Sequence, residues 1–204
     1  MLANLMEIFS LKYIREYLSR NRELIIISFA LFVMSAIVGA VISDSIRQYV
    51  LEIFRILVNS IPKNATTFDQ AIYLFTNNIR ANIVIMLGGL IFSIISVFAI
   101  ILNGLIVGFT ATITKPAVFL VGIIPHGIFE IPAMILSLVG AFLITKMEIN
   151  IIRSILDGRL KDEIIKSEQA IKDIILSFVM VLVLLVVAAF IEAYITPVLL
   201  HMVI

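Results

Sequence analysis

Cysteine is absent from the 204 residues. That excludes disulfides, thiolate zinc sites and a cysteine nucleophile, without saying which redox compartment the loops face. Charge is scarce as well, with aspartate, glutamate, lysine and arginine at 14% of the chain. No tract is dense enough in lysine and arginine to bind nucleic acid. The sequence also lacks a catalytic triad, a glycine-rich phosphate loop and a nucleotide motif, so it assigns no catalytic residue and no cofactor. A net charge of +1 carries almost no information.

What is there instead is apolar. Hydrophobic residues make up 62% of the chain and the mean hydropathy is +1.17, outside the range of a soluble domain. The composition predicts an all-α, polytopic integral membrane protein: one membrane domain over residues 1–204, about five spans of roughly 20 residues, and no room for a large soluble enzyme domain.

The first apolar run, 24–43, follows Lys12, Arg15, Arg20 and Arg22 and holds no charge before Asp44. Its length and the long region before it favour a retained spanning helix over a cleaved signal. Residues 2–20 carry a helical stripe through Leu2, Leu5, Met6, Phe9 and Tyr13. A second amphipathic segment, 46–61, places Ile46, Tyr49, Val50, Ile53, Phe54, Leu57, Val58 and Ile61 opposite Arg47, Gln48, Glu52, Arg55 and Asn59 before Pro62. A weaker one follows from a candidate N-cap near Thr67, using Phe68, Ala71, Ile72, Phe75 and Ile79. These segments read as interfacial helices in contact with lipid or as covers for the spans.

Residues 81–114 carry no charge over 34 positions, about 51 Å as one helix against a hydrocarbon core of about 30 Å. One straight span cannot use them all. Gly88, Gly89, Asn103, Gly104 and Gly108 are the available weak points. Gly104 and Gly108 also make the spacing at which two membrane helices pack closely. The expected spans are 81–103, 105–124, 128–145 and, after a basic amphipathic linker at 147–173, 174–196. No lysine or arginine follows residue 173. The positive-inside rule puts the N-terminal segment and that linker in the cytoplasm and the C-terminus outside.

Two cytoplasmic segments require an even number of crossings between them, so residues 81–145 must contribute a net odd number. The 116–145 region then either completes two crossings with its upstream neighbour or folds as a re-entrant hairpin, and Pro116 to Ile124, about 14 Å of helix, favours the short ascending arm of the hairpin. Its apex would lie at Pro125-His126-Gly127, Pro132 would fall in the first turns of the second arm, and Lys115 would mark a cytoplasmic turn.

His126 and Glu130 fall one turn apart, and Glu192 interrupts the last span. The depth of Glu192 predicts a polar cluster of His126, Glu130 and Glu192 with one or more of Asn77, Asn78, Arg80 and Asn103. Ionisable groups inside a membrane point to function by default. Three readings follow in order: a hydrogen-bonded structural role, a proton or ion pathway, and a metal or catalytic site. The last has suitable ligand types in His126, Glu130 and Glu192 without any specific metal-binding spacing, so no metal is assigned.

The segments NNIRANIVIMLGGL, LNGLIVG, PHGIFEIPA and AAFIEAYITP occur in an order and spacing that resembles the stage II sporulation protein M-like family of integral membrane proteins. The similarity covers about residues 24–197. It rests on Pro125, His126, Gly127, Glu130, Pro132, Ala133, Glu192, Thr196 and Pro197. The resemblance implies about five passes with the N-terminus inside. It also implies the general role of a membrane anchor, since the sporulation member looks like one that recruits a peptidoglycan-degrading machine made with stage II sporulation proteins D and P. These 204 residues are expected to leave no room for a large extracytoplasmic domain, so only the idea of a scaffold carries over.

Two functions are therefore expected in order. The first is a non-enzymatic scaffold with partner membrane or extracytoplasmic proteins. The second is a small transporter or ion- or proton-conducting protein using His126, Glu130 and Glu192. Small-residue faces at Gly104 and Gly108, and at Ala189 and Ala193, offer a homodimer contact.

Overall fold

The computed structural model describes residues 7–60, 65–158 and 160–203. Helices α1 (Leu11–Arg20), α2 (Arg22–Val41), α3 (Ser43–Ser60), α4 (Thr67–Leu87), α5 (Ile94–Ile113), α6 (Pro116–Leu156), α7 (Leu160–Phe190) and α8 (Thr196–His201) follow in order. A 3-10 turn, Gly88–Ile91, extends α4, and a π-helical turn, Ile191–Ile195, joins α7 to α8. No strand occurs among the described residues. Five stretches are long and apolar enough to cross a bilayer: Arg22–Val41, Thr67–Ile91, Ile94–Ile113, Pro116–Leu156 and Ser167–His201. The chain is thus a multi-pass α-helical membrane protein, as its composition predicts, with several boundaries placed elsewhere.

The second span begins at Thr67 and not at 81, because Thr66 caps it. The Asp69 backbone N–H donates to Thr66 Oγ1 at 3.2 Å, and the Thr66 N–H donates to Asp69 Oδ2 at 2.9 Å, satisfying two donors that a helix start leaves open. The weaker amphipathic segment and the second span are therefore one helix. Asn77, Asn78 and Arg80 lie along its middle.

The uncharged run turns at Phe92-Ser93, not at Asn103-Gly104. Both residues adopt left-handed backbone, with φ of 51° and 57°, a conformation that costs a non-glycine residue about 1 kcal/mol or more. Hydrogen bonds around the turn offset it. Thr145 Oγ1 donates to the Gly89 carbonyl at 2.8 Å and lies 2.7 Å from Ser93 Oγ, so the serine is the donor of that pair. Ser96 Oγ donates to the Ile85 carbonyl at 2.6 Å. At Gly89 the backbone lies so near the Ala141 carbonyl that a Cβ would not fit, and at Gly88 one would run into Ser96 Oγ.

The largest departure is α6. It runs unbroken from Pro116 to Leu156 through Pro125, His126, Gly127 and Pro132, so the re-entrant hairpin and the separate spans 105–124 and 128–145 give way to one helix. Each proline frees the carbonyl four residues before it, Val121 and Ile128, and leaves the rest of the ladder intact. A bilayer offers no water to bond a wider break, so keeping the helix is the cheaper solution. Gly127 needs no special backbone, for a Cβ there would meet only Ile123 and Ile131 of its own helix at 3.7 and 3.8 Å.

Helix α6 is the most buried of the spans. Ala133, Leu136, Val139 and Leu143 face Tyr17, Leu176, Val181 and Leu185, while Met134, Leu138 and Ala141 face Phe32, Ile85 and Ile100. Helices α2 and α5 run parallel in close contact. A Cβ on Gly104 would strike Phe32 and Ser35, one on Gly108 would strike Ala36 and Ala40, and one on Gly39 would strike the Leu105 backbone. The glycine face suggested for a homodimer is thus occupied by α2 of the same chain, and Ala189 and Ala193 are also buried.

These contacts give the bundle two ends. Arg20, Thr145 and Lys146 line one cavity of about 690 Å³, and the Phe92-Ser93 turn is bonded to Thr145 at that same end. Val41, Lys115 and α8 share the other end, where Leu200 approaches Gly122 to 3.5 Å from an added Cβ. Three helices long and apolar enough to cross, Thr67–Ile91, Ile94–Ile113 and Pro116–Leu156, lie between α2 and the second basic region, an odd number. Lys115, expected beside the basic linker, lies at the opposite end because α5 crosses completely before it. The linker itself is the end of α6, a turn with Gly158 at φ 68° and the start of α7. Of the expected interfacial stripes, Leu2, Leu5, Met6 and Ile61 lie outside the described residues, as does Pro62, and Phe9 is exposed.

Candidate functional site

The face of α6 that carries His126 also carries Glu130 one turn later. Glu192 comes from the π-turn after α7, and a proline accounts for that turn. Pro197 has no N–H to give the Ala193 carbonyl, and its ring would clash there in a regular helix. The turn widens instead, and the Thr196 N–H bonds back five residues to the Ile191 carbonyl.

His126 Nε2 lies 3.9 Å from Glu130 Oε2. One ligand atom from each of His126, Glu130 and Glu192 lies within 4.8 Å of the other two. The His126 and Glu130 side chains are 12% and 24% exposed, and the group sits about 15 Å along α6 from Pro116. Among the described residues no lysine or arginine pairs with Glu130 or Glu192. His126 Nδ1 is buried without a hydrogen-bond partner, as is Thr196 Oγ1 one turn beyond Glu192.

One or more of Asn77, Asn78, Arg80 and Asn103 are expected in this cluster, and none is hydrogen-bonded to it. Asn77 and Arg80 are exposed on α4. Asn78 offers its carbonyl to Asn82 Nδ2 at 2.9 Å. Asn103 donates to the Ala99 carbonyl of its own helix at 2.8 Å. Starting α4 at Thr67 moves the first three along that helix, and turning the chain at Phe92 sends Asn103 to the α2 side. The polar contact between α4 and α6 is made instead by Ser137 Oγ, which donates to Asn82 Oδ1 at 2.8 Å.

A second polar group escaped the sequence reading. Asp173, 4% exposed in its side chain, accepts from Arg20 Nη2 at 2.7 Å and Nε at 3.2 Å, Asn21 Nδ2 at 3.0 Å, Tyr13 Oη at 3.0 Å and Gln169 Nε2 at 3.0 Å. Tyr17 Oη lies 2.7 Å from Ser177 Oγ, which donates to the Asp173 carbonyl at 2.8 Å. Burial pushes the Tyr17 phenol up to about 12. The pair with Asp173 holds the Arg20 guanidinium above its usual value. The signal was available: Tyr13, Tyr17, Arg20 and Asn21 share one helical face, and Asp173 is the last charge before the final apolar run. The arrangement clasps α1 to α7.

Five apolar spans around a few buried polar contacts define a polytopic α-helical membrane protein with an intramembrane histidine–glutamate–glutamate group. The chain belongs to the Stage II sporulation protein M family, whose sequence model matches residues 28–197 and so takes in all three of these side chains. It is similar to an uncharacterized protein of Methanocaldococcus jannaschii, 32% identical over 146 residues, covering 69% of this chain and 77% of the relative. A second uncharacterized protein of the same organism is 26% identical over 197 residues, covering 94% of this chain and 90% of the relative. No solved structure matches.

Proposed function

We propose that the protein is a non-enzymatic membrane scaffold or anchor that assembles or localises partner proteins. The observation that carries this reading is α3. Val50 is buried, but Tyr49, Leu51, Ile53, Ile56 and Leu57 are 76%, 44%, 39%, 57% and 40% exposed. The helix leaves the end of α2 with Val50 seated on the bundle and Ile46 and Phe54 partly covered, while the other five apolar side chains just named stay uncovered. A surface of this kind suits a partner helix or a lipid interface. With the basic ends of α1 and of the α6–α7 turn in the cytoplasm, α3 faces outward, toward extracytoplasmic partners.

Crosslinking in native membranes, followed by mass spectrometry, tests this. A specific partner captured from the wild type at near-stoichiometric yield, and lost when Ile53 and Leu57 are changed to Asp, supports the scaffold. Self-crosslinks alone overturn it. The competing reading is ion or proton conduction, which the His126, Glu130 and Glu192 group favours. It would then be taken up by flux measurements in liposomes with Glu130→Gln.

A further inference from the structure

The scaffold reading leaves unused the group of ionisable side chains that the bundle holds in its apolar interior. We propose that His126, Glu130 and Glu192 bind one divalent first-row transition-metal cation, of the zinc or manganese type, between α6 and the π-turn.

Spacing is the first argument. Neutralised by protons alone, two carboxylic acids and an imidazole in an apolar pocket would close into direct hydrogen bonds of about 2.6–3.0 Å. Here no hydrogen bond joins the three. The His126–Glu130 approach is 3.9 Å, and all three ligand atoms stay within 4.8 Å of one another. The centre of a triangle with sides no longer than 4.8 Å lies about 2.8 Å or less from each corner (the side divided by √3), against metal–ligand lengths of about 2.0–2.2 Å. A contraction of under about 1 Å per ligand, within reach of two glutamate rotamers, completes the coordination.

Charge is the second argument. Among the described residues Glu130 and Glu192 have no lysine or arginine beside them, and two ionised carboxylates in a medium of low dielectric need a compensating charge. A divalent ion with a neutral imidazole makes the site neutral. One nitrogen and two oxygens form the mixed donor set of zinc, manganese and iron(II) sites, and three protein ligands leave a position open.

Local geometry is the third. His126 Nδ1 is buried and unpartnered, so either ring nitrogen is free to ligate. Glu192 reaches the pair from a π-turn, a distortion that recurs at functional sites. The nearby Thr196 hydroxyl is a second polar atom without a partner.

The test uses the full chain in nanodiscs, stripped with a chelator and dialysed against zinc or cobalt(II). The expected result is about one metal per chain, with a cobalt absorption spectrum of nitrogen and oxygen coordination and a raised unfolding temperature. Glu130→Gln and Glu192→Gln are expected to weaken binding by about tenfold or more, and Glu168→Gln on the exposed side of α7 to leave it unchanged. Should either buried variant fail to run as a folded monodisperse species, the wild-type cobalt titration decides alone. A wild type that takes up no cobalt with a Kd tighter than about 100 μM overturns the proposal. So does full metal occupancy in both glutamine variants, or a metal-free wild type that those substitutions stabilise, which would mark a proton-sharing pair. Metal uptake is read without any partner, so failure of the scaffold reading leaves this result untouched.

Discussion

Tyr17 is fully buried, and its phenol competes for no water. Its proton is held to about 12, against an ordinary value of 10.0, because a phenolate there would lose its solvation and face the Asp173 carboxylate. The folded state therefore keeps a proton that the unfolded chain gives up in the window between these two values. The linked stability is fully present below pH 10 and is lost as pH rises toward 12, ionisation of Tyr17 then destabilising the fold by about 2–3 kcal/mol in all. A Tyr17→Phe variant should lose about 0.5–1.5 kcal/mol at neutral pH, with the Ser177 contact gone, and should lack this part of the alkaline slope. Unfolding in detergent across that window, with tyrosinate absorbance read in parallel, measures both. An alkaline slope identical in wild type and variant would refute the assignment.

At the scale of elements, helix identity was legible and helix ends were less so. Uncharged runs of membrane length locate the spans, since that signal is summed over some 20 residues. Turns depend on a few tertiary contacts. Phe92 and Ser93 carry no turn signature, and Thr145, whose hydroxyl helps to hold them in place, is far away in sequence. Pro125 and Gly127 do carry a breaker signature, but α6 is packed on both faces and does not break. The same packing made the glycines readable in kind and not in partner: Gly104 and Gly108 marked a close helix contact, while Gly39 on the facing helix did not stand out. Substituting Gly108 by Leu should cost about 3 kcal/mol or prevent folding, because the added carbons meet the Ala36 backbone, which cannot yield as a side chain would. Gly122→Ala, where the nearest atom to the new methyl is a Leu200 methyl at 3.5 Å, should be neutral or stabilising by up to about 1 kcal/mol. Thermal unfolding in detergent separates the two, and equal effects would contradict the packing described.

For the whole molecule, the site was legible where it rests on one helix period and a depth argument, as His126, Glu130 and Glu192 do. It was not legible where it depends on helix starts, as for Asn77, Asn78 and Arg80. Overall topology is testable in this chain as it stands, because it has no cysteine to remove. Single cysteines at Arg15 and Asp157 should react with an impermeant maleimide from one side of a vesicle, and those at Lys115 and His201 from the other. Labelling of Lys115→Cys from the same side as Arg15→Cys would break the arrangement. The clasp on Asp173 adds a matter of timing. Its partners Tyr13, Arg20 and Asn21 precede it by 152 to 160 positions, so at 5–20 residues per second they leave the ribosome roughly 8–30 s before it does. The first helix has no Asp173 to hold it until the last span is delivered. A chain truncated ahead of residue 173 stays unlatched, so its first helix should be cut by added protease sooner than that of the full chain.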